Sequence, residues 1–388
     1  MSDIREFPAW PMTAPLDREL LLETVRSGNW ASGEKRMAFE RRFAADCGVK
    51  HCFAVANGTV SLEMILRGFG IGKGDEVILP PYTFIATLSS IVFAGATPVF
   101  ADIDEGTYNI SPAAVEKKIT GKTRAIVAVA VGGCPPDLDA LTGIARKHDL
   151  KLIVDAAQGV GAMWKSESIC AYGDAASVSC QNTKNLTCGE GGIITTNDDT
   201  LAAQIALMLN GGEKNGVYET ISQDHSISEF QAALLLSQYE KLDSEMKIRE
   251  GNADYLRKRM AELDFVSPAT YDERITRHAW HLFIVRMDSQ KLTEKGITRE
   301  ELVTGMKAEG VPIDCGYLPL YTFPCVSSDY TKRLISSEID ITPLPVCEQA
   351  AYREGTWITQ NVLLSSKNDL DAIVDGMQRA WNNALKTL

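Results

Sequence analysis

The sequence predicts an α/β fold: a mostly parallel central sheet with helices on both faces, plus a smaller C-terminal α+β domain. Three observations carry that reading. Short runs such as 77–79, 125–131 and 152–154 are continuously apolar, as strands buried on both faces are. Segments with helical spacing of apolar residues separate them, the pattern of a parallel sheet built from strand–helix–strand units. Near residue 245 this alternation stops and a different order of elements begins.

Taken in order, residues 1–15 hold Phe7, Trp10, Pro8, Pro11 and Pro15 and read as an arm, neither helix nor strand. Helices follow over 16–27 and 34–47, closed by Gly28 and Gly48. A strand over 52–56 enters Asn57-Gly58-Thr59, a turn and N-cap for a helix over 60–69. Then come a strand over 76–79, a helix over 84–93, a strand over 97–101 and a helix over 112–119. A strand over 125–131, a helix over 138–148 and a strand over 151–154, ending on Asp155, continue the pattern. Strands over 175–180 and 192–196 complete the sheet. A helix over 200–209 and a polar loop over 210–224 lead to a strong helix over 227–246, which continues into a second through 263. The large domain is therefore 1–245, including the arm, and the small one 246–388. The latter holds a strand over 280–287, a helix over 299–308 and an irregular proline-rich segment over 312–345. A short strand over 357–359 and a final helix over 369–385 complete it.

Composition narrows the function. The chain has 388 residues, 45% of them hydrophobic, enough for a large core. Its net charge of -12 argues against nucleic acid as a partner. It does not argue against small anions, because backbone N–H groups bind phosphate without net positive charge. The nine cysteines are scattered, odd in number and without a CxxC pair, so reduced thiols are expected, with neither zinc nor disulfides. The five histidines lack ligand spacing, and no metal is expected. The N-terminus has no apolar signal region and no run approaches membrane length, which predicts a cytoplasmic protein without a membrane partner.

Parallel sheets bind ligands at the carboxyl ends of their strands. Asn57-Gly58-Thr59, Asp155 and the stretch from Ser177 to Gly192 all fall near such ends. Gly58, Thr59 and Val60 open a helix, whose amides, dipole and threonine hydroxyl suit a phosphate. Asp155 ends a buried strand, where a carboxylate needs a cationic or hydrogen-bonding partner. Lys184 sits among small and polar residues, where desolvation favours the neutral amine. Ser179 offers a hydroxyl, and Phe84 a face on which a flat ring stacks. Each has an ordinary alternative: a capped helix, a turn-capping acid, a solvated lysine, a core aromatic. Together they meet the demands of pyridoxal 5'-phosphate (PLP): an anchored phosphate, an acid that keeps the ring nitrogen protonated, and an amine that tethers the cofactor and moves protons.

The stretches Ala56-Asn-Gly-Thr59, Gly70-Ile-Gly-Lys-Gly-Asp-Glu-Val77, Gly95-Ala-Thr-Pro-Val-Phe-Ala-Asp102, Asp155-Ala-Ala-Gln158, Lys184-Asn-Leu-Thr-Cys-Gly-Glu-Gly-Gly192 and Ser228-Glu-Phe-Gln-Ala-Ala233 are, as a set, specific. The chain resembles the DegT/StrS family of PLP-dependent sugar aminotransferases over nearly its whole length. The resemblance implies the type I PLP-dependent aminotransferase fold and a homodimer with shared active sites. It implies amino transfer from glutamine or glutamate to a keto sugar or keto cyclitol. Lys184 resembles the family's Schiff-base lysine and Asp155 its partner for the pyridine nitrogen. Gly58, Thr59, Val60 and Ser179 fall on phosphate contacts, Phe84 on the stacking aromatic, and Gln158 on the residue beside the ring oxygen.

Finer likenesses lie in Phe7-Pro-Ala-Trp-Pro11, Cys180-Gln-Asn182 and Trp357-Ile-Thr-Gln360-Asn-Val-Leu-Leu364. They are similar to aminotransferases acting on scyllo-inosose-type ketones and to 3-amino-5-hydroxybenzoate synthases. Trp357 and Gln360 are the expected substrate contacts, with plain packing of the small domain the alternative. An aromatising synthase and a non-catalytic PLP-binding regulator remain rival functions. Three positions depart from the family's pattern: Ala130 replaces a common histidine, Asp224 an asparagine that reaches across the dimer, and Asn210-Gly211-Gly212 lacks a common arginine.

Overall fold

Seven strands make the large sheet. In chain order the first five are β1 (His51–Val55), β2 (Glu76–Leu79), β3 (Thr97–Phe100), β4 (Thr123–Val129) and β5 (Lys151–Asp155), followed by Ala175–Ser179 and Gly192–Thr196. Across the sheet the order is β1, Gly192–Thr196, Ala175–Ser179, β5, β4, β2, β3. Only Gly192–Thr196 runs against its neighbours; the other pairings are parallel. The computed structural model describes residues 6–386. The first five residues of the expected arm, with most of the segment read for a signal region, lie outside them.

Both faces of the central strands are apolar because side chains alternate across a strand. Val77, Leu79, Val127 and Ile153 enter one core. Ile78, Ile126 and Leu152 enter the opposite one. Helices α1 (Pro15–Ser27) and α2 (Glu34–Cys47) end on Gly28 and Gly48, whose φ of 67° and 72° is the left-handed turn a glycine adopts without strain. α3 (Gly58–Gly68) and α4 (Ile85–Phe93) start just beyond the ends of β1 and β2.

The break expected within 227–263 is absent. One helix of 32 residues, Glu229–Met260, runs through residue 245, opened by a capping box between Ser228 and Gln231. Its first part packs Leu235, Leu242 and Met246 into the core of the large sheet. Its second part packs Ala253, Leu256 and Met260 into the C-terminal core. Gly251 in mid-helix costs about 1 kcal/mol relative to alanine, and packing at both ends outweighs it.

The C-terminal sheet has four antiparallel strands, in the order Val266–Pro268, Leu282–Met287, Gly355–Thr359, Ile313–Cys315. Helices Arg299–Ala308 and Lys367–Lys386 pack on it through Met306, Leu370, Met377 and Trp381. The outer strands, of three residues each, are too short to show a period in the sequence. The polar 210–224 stretch holds a small hairpin, Glu213–Lys214 with Val217–Tyr218. All nine cysteines are free thiols. Among the described residues no helix is long and apolar enough to cross a membrane, and no cluster of three or more ligating side chains is placed to hold a metal.

Candidate active site

β1, β5 and Ala175–Ser179 run in one direction, so their carboxyl ends share one edge of the sheet. From β1 the chain turns at Asn57, whose side-chain oxygen accepts the Val60 amide at 2.9 Å and starts α3. The first-turn amides of Gly58 and Thr59 have no partner within the helix, as at any helix start. Two glycines press this start against the sheet. A Cβ at Gly58 would lie 2.8 Å from the Ser179 Cβ, and one at Gly192 would lie 2.4 Å from the Asn57 carbonyl. The absent side chains are what bring the Ser179 hydroxyl to the positive end of α3. Hydroxyl, amides and dipole together form a cradle for a dianion.

Asp155 ends β5 and is 3% exposed. Thr87 Oγ1 of α4 donates to its Oδ2 at 2.9 Å, and the Ala157 amide to Oδ1 at 3.1 Å. Burial pushes the carboxyl upward from its ordinary value, against these two bonds and the pull of Lys184.

The loop that carries Lys184 is closed on itself. The Cys180 amide donates to the Gly191 carbonyl at 2.7 Å, the Cys188 amide to the Cys180 carbonyl at 3.1 Å, and the Lys184 amide to the Gln181 carbonyl at 2.9 Å. Trp10 of the arm donates its indole N–H to the Lys184 carbonyl at 3.1 Å. Burial brings the Lys184 amine down to about 8, although Asp155 pulls the other way. Both members of the pair are thus driven toward neutrality. Each is desolvated more than the other compensates, so the space between them suits a third group that carries positive charge toward Asp155.

Gln158 is gripped twice. Its Oε1 accepts the Gly132 amide at 2.7 Å and its Nε2 donates to the Tyr317 hydroxyl at 2.9 Å. Tyr317 follows the strand Ile313–Cys315 of the C-terminal sheet and packs edge-on against Trp357, with ring centres 4.7 Å apart, and against Tyr82 at 5.6 Å. Burial pushes the Tyr317 hydroxyl up to about 12, so it stays protonated while it accepts from Gln158. Phe84, the residue before α4, leaves its ring 58% exposed.

Residues 13–349 match the DegT/DnrJ/EryC1/StrS aminotransferase family. The chain belongs to that family. Similar members include the L-glutamine:2-deoxy-scyllo-inosose aminotransferase of Micromonospora echinospora, 33% identical over 98% of this chain and 95% of the relative. The spore coat polysaccharide biosynthesis protein SpsC of Bacillus subtilis is 39% identical over 85% of this chain and 86% of its own. A solved 3-amino-5-hydroxybenzoic acid synthase superposes with a TM-score of 0.88 at 29% identity, covering 97% of this chain and 99% of that one.

Several of the residues expected for a DegT/DnrJ/EryC1/StrS aminotransferase are neighbours in this fold. Gly58 meets Ser179, Lys184 and Asp155 influence each other's protonation, and Gln158 lies beyond the same strand end as Asp155. Trp357 reaches the group through Tyr317. Gln360 is 2% exposed, and its side-chain oxygen is already bonded to Arg249 Nε and Nη2 at 2.9 and 2.6 Å. Of the departures, Ala130 is fully buried in the core, and Asp224 caps its own turn by accepting the Ser226 amide at 3.0 Å. Thr87, Tyr317 and Arg249 escaped the sequence reading. Thr87 and Arg249 sit inside ordinary helical patterns, and Tyr317 in a stretch without a period.

Proposed function

We propose that this aminotransferase is PLP-dependent and moves an amino group from glutamine, or glutamate, to a keto cyclitol or keto sugar. The observation that carries the reading is the desolvated Lys184 amine within electrostatic reach of the buried Asp155 carboxyl, with the Gly58–Ser179 cradle at the same edge of the sheet. The residues fit the cofactor. The start of α3 with Thr59, Val60 and Ser179 would hold its phosphate, Asp155 its ring nitrogen, Gln158 its ring oxygen, and the exposed Phe84 face its ring. When bound, PLP supplies an electron sink for the bonds at the donor carbon.

The chain's own part is to place and move a proton. With the amine at about 8, ~10% of Lys184 is neutral at pH 7, against well under ~0.1% for an ordinary lysine. A neutral amine would take the proton from the donor carbon and deliver it to the carbon on the other side of the transferred nitrogen, the two halves of a 1,3-transfer. Asp155, held by Thr87 and Ala157, presents its carboxylate to the positive nitrogen it stabilises. Tyr317 and Trp357 form an aromatic wall for the acceptor. In this reading the enzyme is a cytoplasmic homodimer with shared sites, and the exposed Val217, Tyr218 and Ile221 of the 210–224 hairpin region support an inter-subunit contact. The cyclitol branch draws support from the substrate in the name of the Micromonospora echinospora relative.

The test is spectroscopic. Added PLP is expected to give an absorbance band that L-glutamine shifts and that Lys184→Ala removes. The aminated protein is then offered keto cyclitols and nucleotide-linked keto sugars. Absence of any band sinks the proposal. Aromatisation of an aminodehydroquinate-like substrate without a donor would place the protein with the synthases.

A further inference from the structure

A circuit of five residues leaves the Lys184 backbone and returns to it. Trp10 Nε1 donates to the Lys184 carbonyl at 3.1 Å. The Arg249 guanidinium carbon stands 5.1 Å from the centre of the Trp10 ring. Its Nε and Nη2 both donate to Gln360 Oε1, at 2.9 and 2.6 Å. The Gln360 amide donates to the His281 carbonyl at 3.1 Å. His281 Nδ1 meets Asn185 Oδ1 at 3.3 Å, and Asn185 follows Lys184 in the chain. Asn185 Nδ2 is in turn fastened to the Ala279 carbonyl at 2.6 Å. The lysine is therefore held on its carbonyl side by the arm and on its next residue by the small domain.

Arg249 joins the two halves, and it is the least expected member. It is 0% exposed, with Glu245 as a carboxylate partner at 3.3 Å, and its Nη1 has no hydrogen-bond partner among the described residues. A buried guanidinium with an incomplete set of partners destabilises a fold relative to an apolar side chain of similar volume. What it provides here is geometry. Its rigid fork sends two bonds to one oxygen while its plane lies over an indole, which neither lysine nor methionine reproduces.

We propose that Arg249 is a positioning residue for Lys184: by clamping Gln360 and Trp10 together it fixes the Lys184 backbone, and with it where the amine stands relative to Asp155. The importance of that position rests on the PLP-dependent reading above, whereas the circuit is a property of the chain alone. The groups that face the Lys184 amine are Asp155 at the end of β5, Cys180 on its own loop, and His281 ahead of Leu282–Met287. Arg249 acts on His281. Burial with the two neighbouring cations keeps the His281 imidazole well below its ordinary value, so its contact with Asn185 is the same across the working range.

The experiment titrates Lys184 in the cofactor-free protein by acetylation with limiting acetic anhydride over a pH series, read by peptide mass spectrometry. Amine-transfer kinetics on the loaded enzyme run in parallel. The wild-type midpoint is expected near 8. Trp10→Phe and Arg249→Met are each expected to move it toward an ordinary lysine by about half a unit or more. The double variant is expected to go no further than the larger single change, as for members of one circuit. On the loaded enzyme, kcat falls about ten-fold or more while the donor KM stays within about two-fold. Arg249→Lys, which keeps the charge and loses the fork, behaves as Arg249→Met does. An unchanged Lys184 titration in both single variants, or simple addition in the double, overturns the proposal. If Arg249→Met does not fold, Trp10→Phe, which removes one N–H from the arm, decides between the same two outcomes. Failure of the amino-transfer reading would leave the labelling result intact, so the two are told apart.

Discussion

Gln158 Nε2 donates to the Tyr317 hydroxyl at 2.9 Å, joining the segment after β5 to the segment that follows Ile313–Cys315 of the C-terminal sheet. Because Gln158 Oε1 already accepts the Gly132 amide, the side chain has one orientation that satisfies both ends. Tyr317→Phe leaves a buried amide N–H without its acceptor and is expected to destabilise the protein by about 1–2 kcal/mol. A double-mutant cycle with Gln158→Leu, measured by urea unfolding, is expected to show coupling of about 1 kcal/mol. Strict additivity would mean that the bond does not hold in solution.

The cradle at α3 depends on a missing side chain. Gly58→Ala places a methyl group 2.8 Å from the Ser179 Cβ, nearer than real Cβ contacts come. Either α3 or Ser179 has to move, at roughly 1–3 kcal/mol, and the amides and hydroxyl no longer converge. The thermal stabilisation that PLP gives the wild type is expected to shrink at matched concentrations, because stabilisation by a ligand follows its affinity. A variant stabilised by PLP as strongly as the wild type would remove Gly58 from the phosphate site.

The large sheet was legible because its central strands carry apolar runs and its helices are punctuated by Gly28, Gly48 and the Asn57 cap. The candidate site was legible because a strand-ending acid, a capped helix start and a lysine before a glycine-rich turn fall at the same ends of parallel strands. What stayed hidden depends on contacts distant in sequence. Tyr317 meets Gln158 across 159 positions. Arg249 meets Gln360 across 111. Neither residue stands in a local pattern that distinguishes it from its neighbours. The helix through residue 245 was read as two because the alternation of strands and helices stops there, and the two cores that its halves enter are not visible along the chain.

Thr87 is the handle on Asp155. Its hydroxyl bond and the Ala157 amide favour the carboxylate, and burial opposes them. Thr87→Val removes one of the two bonds while keeping the shape, so the Asp155 carboxyl is expected to rise further. A bond to a charged group of about 1–2 kcal/mol corresponds to a shift of roughly one pH unit. Activity that needs Asp155 ionised then loses its acid side earlier: the acidic midpoint of the kcat/KM profile moves to higher pH, with the alkaline limb unchanged. A profile that superposes on the wild type would show that Asp155 is not the group that limits activity in acid.

Lys184 makes the cofactor-free protein less stable, in a pH window its two pKa values define. The unfolded chain protonates it with an ordinary value of 10.5, and the folded chain with one of about 8. Below about 8 the amine is charged in both states, and the fold bears the full desolvation cost, of order 3 kcal/mol at most. Between the two values the unfolded state binds more protons, so stability rises with pH. Above 10.5 the amine is neutral in both states and the cost is gone. Lys184→Met is therefore expected to abolish turnover yet raise the unfolding midpoint of the cofactor-free protein at pH 7, with an advantage that fades as pH rises toward 10.5. Urea unfolding of the two proteins across that range measures the difference. A methionine variant less stable than the wild type at pH 7 would mean that the lysine is not desolvated in the folded chain, and would remove the physical basis for its reactivity.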